Sequence, residues 1–413
     1  MIDVAVVSRA PEDLEPSAEP LSPRELRRHH SAVFAAPREP AGGGLASAWL
    51  PGTEFDKYQI DSRLAAGGMA ELWRAKIKGA YGFEKRIVIK TMHPSLQEKP
   101  DLVQMFIGEA AIAAQLDHPN IVKVIDFGRL EGRYFIAMEY VPGITLRVAH
   151  KRARAAGGRL PIAAVLHVMM DVCDAMDHLH GVADGRGALG LVHRDVSTDN
   201  IIISTGGIAK LIDFGAARAT ARTPSPPVFI GKYRYAAPER IRRVGEDHRS
   251  DVYSAGVVLY ECLTGRRPFD GTDAEVIAGL LASRACDPRG RAPELPARLA
   301  EVVVKATAQD PADRYATADA LGSALSACLA EVHGSSKQRD VTAALADLLG
   351  DVPAVAGGVW SPPRGVAVEA VPTPIAEPGY DDYVVAELTR PSAQVTLRDT
   401  VRSDSGRWFP TQF

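Results

Sequence analysis

Between Asp251 and Leu263 the chain reads Asp-Val-Tyr-Ser-Ala-Gly-Val-Val-Leu-Tyr-Glu-Cys-Leu, a segment that is apolar on nearly every side when wound as a helix. Such a helix must be buried at the centre of a larger unit. The segment 161–180 supplies a neighbour, with Ile162, Val165, Leu166, Met169, Val172, Cys173, Met176 and Leu179 in one wide apolar stripe. Upstream of Gly143 the character changes. Arg86-Ile-Val-Ile-Lys90 and Tyr134-Phe-Ile-Ala-Met138 read as strands. Between them Leu102, Phe106, Ala113 and Leu116 recur at helical spacing, and Asp117-His-Pro-Asn closes that helix because Pro119 cannot continue the hydrogen-bond ladder. The pattern predicts an α+β fold in which a small β-rich unit precedes a larger helical one running to about Val332.

The two ends differ from this middle. Of 29 prolines, 15 fall in residues 1–54 and 351–413, and Gly42-Gly43-Gly44 interrupts any N-terminal helix. Little apolar surface is available there to offset the entropy of ordering, so residues 1–54 are expected to be a disordered tail. Residues 333–413 form a C-terminal extension. Val341, Leu345 and Leu348 share a face that could make a short helix over 340–350, ahead of a disordered Pro/Gly-rich tail. Thr373 and Thr400 in that tail, with Trp408-Phe409 near its end, could form a docking segment for a partner; a solvated linker is the alternative.

Charge and cysteine usage narrow the function classes. With 48 basic against 51 acidic residues, the chain has no electrostatic footprint for nucleic acid. No apolar run is long enough to span a bilayer, and the start Met1-Ile-Asp-Val lacks the basic and apolar regions of a signal peptide. Cys173, Cys262, Cys286 and Cys328 lack the spacing of a zinc site or disulfide framework and read as reduced thiols, so a cytoplasmic protein is expected.

Chemistry-bearing residues fall in a definite order. Leu64-Ala65-Ala66-Gly67-Gly68-Met69-Ala70-Glu71-Leu72 reads as two strands joined by a glycine turn whose amides could approach phosphate oxygens, although a plain hairpin turn would look the same. Lys90 ends a β-branched run, and Glu109 lies on the apolar stripe of the following helix, where a carboxylate needs a cation. His193-Arg194-Asp195-Val-Ser-Thr-Asp-Asn200 follows, then the strand Ile201-Ile-Ile and Leu211-Ile-Asp213-Phe214-Gly215. Asp195 could accept a proton from an attacking hydroxyl, while Asn200 and Asp213 offer the hard oxygen ligands that magnesium prefers. Farther on stand Ala237-Pro238-Glu239, Asp251, and Arg314 in Asp310-Pro-Ala-Asp-Arg314-Tyr.

In this order the chain resembles the eukaryotic-like Ser/Thr protein kinases of bacteria, over roughly residues 58–330. The resemblance implies a bilobal protein-kinase fold over 55–332, with an N-lobe at 55–140 and a C-lobe at 141–332, enclosing ATP and Mg2+ and acting on Ser/Thr hydroxyls of protein substrates. By the same resemblance Asp195 would be the catalytic base, Asn200 and Asp213 would hold magnesium, and Lys90, paired with Glu109, would position the phosphates. Met138-Glu139-Tyr140-Val141 would be the hinge against adenine, and Glu239 and Arg314 a buried ion pair. Arg194 beside Asp195 implies control through the loop 216–236, where Thr220, Thr223 and Ser225 are the hydroxyl candidates and Arg218 and Arg222 flank them.

Four positions depart from the family pattern. Ala65 and Ala70 stand at the first and third glycine positions of the turn, and Val88 replaces the alanine over adenine. Ser197 replaces the catalytic-loop lysine, and Lys232 replaces a threonine that sits beside it, so Lys232 could supply the missing ammonium; the alternative is a lysine facing solvent. The exchange removes the two residues that most directly mark Ser/Thr kinases and leaves tyrosine open as an acceptor. Two other readings are a pseudokinase scaffold, which the complete set Lys90, Glu109, Asp195, Asn200 and Asp213 disfavours, and a small-molecule kinase, which Ala237-Pro238-Glu239 and its long preceding loop disfavour.

Overall fold

The computed structural model describes residues 49–67, 70–130, 132–184, 187–219, 232–282, 286–333 and 343. Gly68 and Met69, the loop hydroxyls Thr220, Thr223 and Ser225, the 340–350 segment apart from Ala343, and the tail residues Thr373, Thr400, Trp408 and Phe409 lie outside the described residues.

The first layer is a six-stranded antiparallel sheet of β1 (Glu54–Phe55), β2 (Tyr58–Ala66), β3 (Ala70–Lys78), β4 (Glu84–Met92), β5 (Val124–Leu130) and β6 (Arg133–Glu139), in the order β1-β2-β3-β4-β6-β5. Strand alternation divides its side chains between two cores. Ile87 and Ile89 of β4, with Phe135 and Ala137 of β6, join Tyr58, Ile60 and Trp73 on one face. Met92 and Ile136 face the other way, against Phe106 and Ala110 of α1 (Pro100–Ala113). Lys90 has the parity of Met92 and therefore faces the helix.

Helix α1 begins with Pro100 in its first turn, where a missing N–H costs nothing, and buries Phe106, Glu109, Ala110 and Ala113 along one stripe. It ends at Ala113, before the expected turn. Gln115 and Leu116 then close it with tighter bonds to the carbonyls of Ile112 and Ala113, which keep Leu116 in the core.

The N-terminal boundary differs from the expected one. Trp49, placed by composition in the disordered tail, is buried, with its ring 4.8 Å from that of Phe55 and 6.5 Å from that of Trp73. An indole of that size contributes more by burial than its Gly/Pro-rich surroundings cost to order, so Trp49 belongs to the outer core of the sheet while Leu50, Pro51 and Gly52 stay exposed.

After β6 the chain passes through Tyr140–Pro142 into β7 (Gly143–Thr145) and the helical unit: α2 (Leu146–Ala155), α3 (Ile162–His180), α4 (Pro238–Arg242), α5 (Arg249–Thr264), α6 (Asp273–Ala282), α7 (Ala297–Ala306) and α8 (Ala318–His333). In α5 every residue except Arg249 and Glu261 is buried, as the sequence requires. Gly256 lets α5 approach α7 closely: a Cβ there would lie 2.8 Å from Thr307 and 2.9 Å from Ala306. All four cysteines are buried and free. Among the described residues no helix is long and apolar enough to cross a membrane.

Glu239, in the first turn of α4, receives Arg314 as a two-pronged pair, Nη1 to Oε1 at 2.8 Å and Nη2 to Oε2 at 2.7 Å. Ser250 Oγ donates to the same carboxylate at 2.6 Å, and Arg314 also donates to the carbonyls of Ala308, Arg249 and Gln309. Both side chains are buried, so removal of one leaves the other uncompensated. Arg314→Ala is expected to cost about 3–5 kcal/mol of stability in urea unfolding; a loss below about 1 kcal/mol would show that the pair does not brace the lobe.

Candidate active site

The sheet and α1 deliver the first half of the site. Lys90 Nζ lies 2.7 Å from Glu109 Oε1 and 2.8 Å from Asp213 Oδ1, so one ammonium joins β4, α1 and the segment after the strand Ala209–Leu211. Burial opposes the Lys90 charge, yet the two carboxylates outweigh it and hold Lys90 above its ordinary range. Burial pushes Glu109 up to about 7 despite Lys90. Burial works against Asp213 as well, but Lys90 and the Gly215 amide hold this carboxyl well below the usual range. Gly215 leaves room here: a Cβ would crowd both Asp213 Oδ1 and Glu109 Oε2 at 3.1 Å.

The second half rests on the helical unit. Buried Ile201 and Ile203 of β8 (Ile201–Ser204) pair with Leu211 and Ala209 of β9 (Ala209–Leu211), and β7 adds a third strand. One residue beyond that ladder the Ile212 amide donates to the Asn200 carbonyl at 2.9 Å, which brings Asn200 next to Asp213. Asn200 Nδ2 donates to Asp195 Oδ2 at 2.6 Å and to the Asp195 carbonyl at 2.8 Å. The base candidate is thus buried and fixed in orientation.

Asp251 anchors the loop that carries Asp195. Its carboxylate accepts from the amides of His193 at 2.7 Å and Arg194 at 2.9 Å, and lies 2.8 Å from His180 Nε2. Burial disfavours its charge, but these donors hold it below the ordinary carboxylate range. Arg194 (φ 71°) and Asp213 (φ 64°) both occupy the left-handed region, a strain of roughly 1–3 kcal/mol each that surrounding contacts must maintain. The Arg194 guanidinium reaches Glu246 at 2.7 Å, and Arg240 shares that carboxylate at 3.1 Å.

At the glycine turn, Ala65 pairs with Leu72 and Ala66 with Glu71, and the Gly67 amide donates to the Ala70 carbonyl at 3.0 Å. Leu64 is exposed at a register shift between Arg63 and Ala65. Val88 and Met138 are partners across β4 and β6, side by side on the sheet. Glu139 ends β6, its carboxylate receiving Lys210 at 2.7 Å and the Lys123 amide at 2.9 Å, and Val141 follows in the irregular link to β7.

Lys232 does not face solvent. It is buried, with Nζ 3.2 Å from Ser197 Oγ and 3.1 Å from Asp199 Oδ2. Sequence reasoning gave no role to Asp199, Tyr235 or Glu246. Tyr235 donates to Glu261 at 2.6 Å and lies 3.0 Å from Thr198 Oγ1. Glu261 itself was the available signal, because a carboxylate within an apolar helix calls for a partner.

The donor set fits a magnesium ion. Asn200 commits its amide nitrogen to Asp195, leaving Oδ1 as its ligand atom beside the ionised Asp213, and oxygen pairs of this kind bind magnesium together with nucleotide phosphates. A lysine and two acidic groups gathered from both lobes of a two-lobed fold suit phosphoryl-transfer chemistry.

Residues 58–325 match the protein kinase domain family, and the chain belongs to it. It is 41% identical over 285 residues to the tyrosine-protein kinase MasK of Myxococcus xanthus, covering 67% of this chain and 44% of that protein. It is 35% identical over 267 residues to the serine/threonine-protein kinase PrkC of Bacillus subtilis, covering 64% of this chain and 39% of that one. The chain spans less than half the length of these curated relatives. The crystal structure of the Mycobacterium tuberculosis PknI kinase domain is 28% identical, with a TM-score of 0.52 over 68% of this chain and 99% of that one.

The raised Glu109 gives a pH prediction. Its folded pKa of about 7 exceeds the ordinary 4.5, so its stability contribution is full below the ordinary value and declines as pH rises through that window. For activity the sign is opposite: below about 7 a neutral Glu109 leaves Lys90 to Asp213 alone and draws that carboxylate away from metal. Wild-type kcat/KM should therefore fall with acid around pH 7, and Glu109→Gln should lack that limb at a lower plateau. Profiles of the same shape would refute the assignment.

Proposed function

We propose that the chain transfers the γ-phosphoryl group of ATP to serine or threonine hydroxyls of proteins, beginning with hydroxyls of its own loop. The observation that carries this reading is the meeting of Lys90, Glu109 and Asp213 with the Asp195–Asn200 pair where the two lobes join. Lys90 places the α- and β-phosphates, and Glu109 holds Lys90 in position. Asp195, its carboxylate aimed by Asn200, takes the proton of the attacking hydroxyl. Asn200 Oδ1 and the Asp213 carboxylate hold magnesium, which when bound neutralises charge developing on the phosphates. Val88 and Met138 line the adenine site together with Glu139 and Val141, and amides of the glycine turn cover the phosphates.

Serine and threonine are favoured by the kinship with bacterial Ser/Thr kinases and by the loop itself. Thr220, Thr223 and Ser225 lie between Asp213 and Lys232, whereas Tyr235 is buried and bonded at both its neighbours. Arg194 and Arg240, two guanidiniums sharing Glu246, form the cationic cluster toward which a loop phosphate would be drawn. A tyrosine acceptor is the second reading, supported by MasK and by the Ser197–Lys232 arrangement.

Incubation with magnesium and labelled ATP, followed by phosphoamino-acid analysis and mass spectrometry, tests both readings. Label on Ser or Thr within 220–225 that disappears in Asp195→Asn is expected. Phosphotyrosine alone would transfer the assignment to the second reading, and label no greater than in Asp195→Asn would leave a nucleotide-binding scaffold.

A further inference from the structure

Phosphoryl transfer is mainly an electrostatic problem, because charge spreads over the equatorial oxygens of the moving group while it lies near the attacking hydroxyl. Lys90 is fixed on the far side of the site by Glu109 and Asp213. Close to Asp195 a cation is also needed, but the loop from Val196 to Asp199 contains none. Arg194 is adjacent in sequence, yet its guanidinium is turned onto Glu246.

Lys232 fills this position from another part of the chain. Its ammonium reaches Ser197, two residues past Asp195, at 3.2 Å, and Asp199, next to Asn200, at 3.1 Å. Asp199 Oδ2 also receives Arg147 at 3.3 Å, so Lys232 can exchange this carboxylate for a phosphate oxygen without leaving it unpaired. The turn Tyr233–Tyr235 that carries Lys232 is fastened independently, through Tyr235 to Glu261 and Thr198 and through Arg234 to the Gly271 carbonyl.

We infer that Lys232 is a catalytic residue that contacts the transferring phosphate, delivered to the Asp195 loop by the Tyr233–Tyr235 turn, so that the site is complete only when this turn is seated. The inference rests on the kinase reading above. It makes Lys232 selective for the third phosphate, whereas a lysine that only braced the loop would treat di- and triphosphates alike.

Two measurements decide it. In calorimetry with magnesium, Lys232→Ala should weaken binding of a non-hydrolysable ATP analogue by roughly tenfold or more and leave ADP affinity as in wild type, which also reports that the variant folds. In turnover, Lys232→Ala should lower kcat by roughly ten- to a thousandfold, and the double exchange Ser197→Lys with Lys232→Thr should restore most of that loss by placing an ammonium at the same point from within the loop. Equal effects on both nucleotides, or no rescue by the double exchange, would overturn the inference. If wild type itself shows no label above Asp195→Asn, the kinase reading fails, and the nucleotide comparison still decides whether Lys232 senses the third phosphate.

Discussion

A carboxylate with no exposed surface, Asp251 in the first turn of α5, holds the catalytic loop on the helical core. Burying a charge costs several kcal/mol, and here two backbone amides, His180 and the positive end of the helix offset that cost. The bonds to His193 and Arg194 hold Arg194 in its left-handed conformation, which turns the backbone so that Asp195 points toward Asn200. Without Asp251 the two amides would be buried without partners and the strained turn would have nothing to maintain it. The most completely buried helix among the described residues thus begins with a side chain that ties chemistry to packing.

The half of the site supplied by the sheet depends on parity. Because Ile87 and Ile89 are required on the aromatic face, Lys90 must emerge on the face that meets α1. Glu109 meets it there because it shares the stripe of Phe106 and Ala113. The Lys90 ammonium then reaches across to Asp213, which belongs to the other lobe. The position of α1 and the position of the metal-ligand candidate are therefore coupled through one cation.

These features were legible because each chemical group sits on an element whose apolar neighbours reveal its period. Strands 86–90 and 134–138, the helices over 161–180 and 251–263, and the Lys90–Glu109 and Glu239–Arg314 pairs all follow from such patterns or from motif order. What failed to show was decided by chain segments returning from far away. Trp49 sits in an irregular stretch of small residues, leucine and proline with no period to read, and the aromatic cluster on the sheet explains its burial. The Arg194–Glu246 contact joins irregular segments that have no periodicity to read, and Tyr235, which meets Glu261 of α5, sits in a short turn with none either.

The Ser197–Lys232 exchange shows where sequence order and electrostatic need separate. A motif records which residue carries a charge, but a phosphate responds only to where that charge lies. With Ser197 buried and too short to fill the space of a long side chain, Lys232 can enter from the turn and occupy it, its stem packed and its ammonium beside Asp199. The cation then belongs to a separate segment with its own fastenings, unlike a residue built into the loop anchored by Asp251. Placing it there makes the electrostatic completion of the site depend on how the far end of the 216–236 loop is held, and of the side chains that hold it Tyr235, bonded to both Glu261 and Thr198, is the one that ties it to the Asp195 loop.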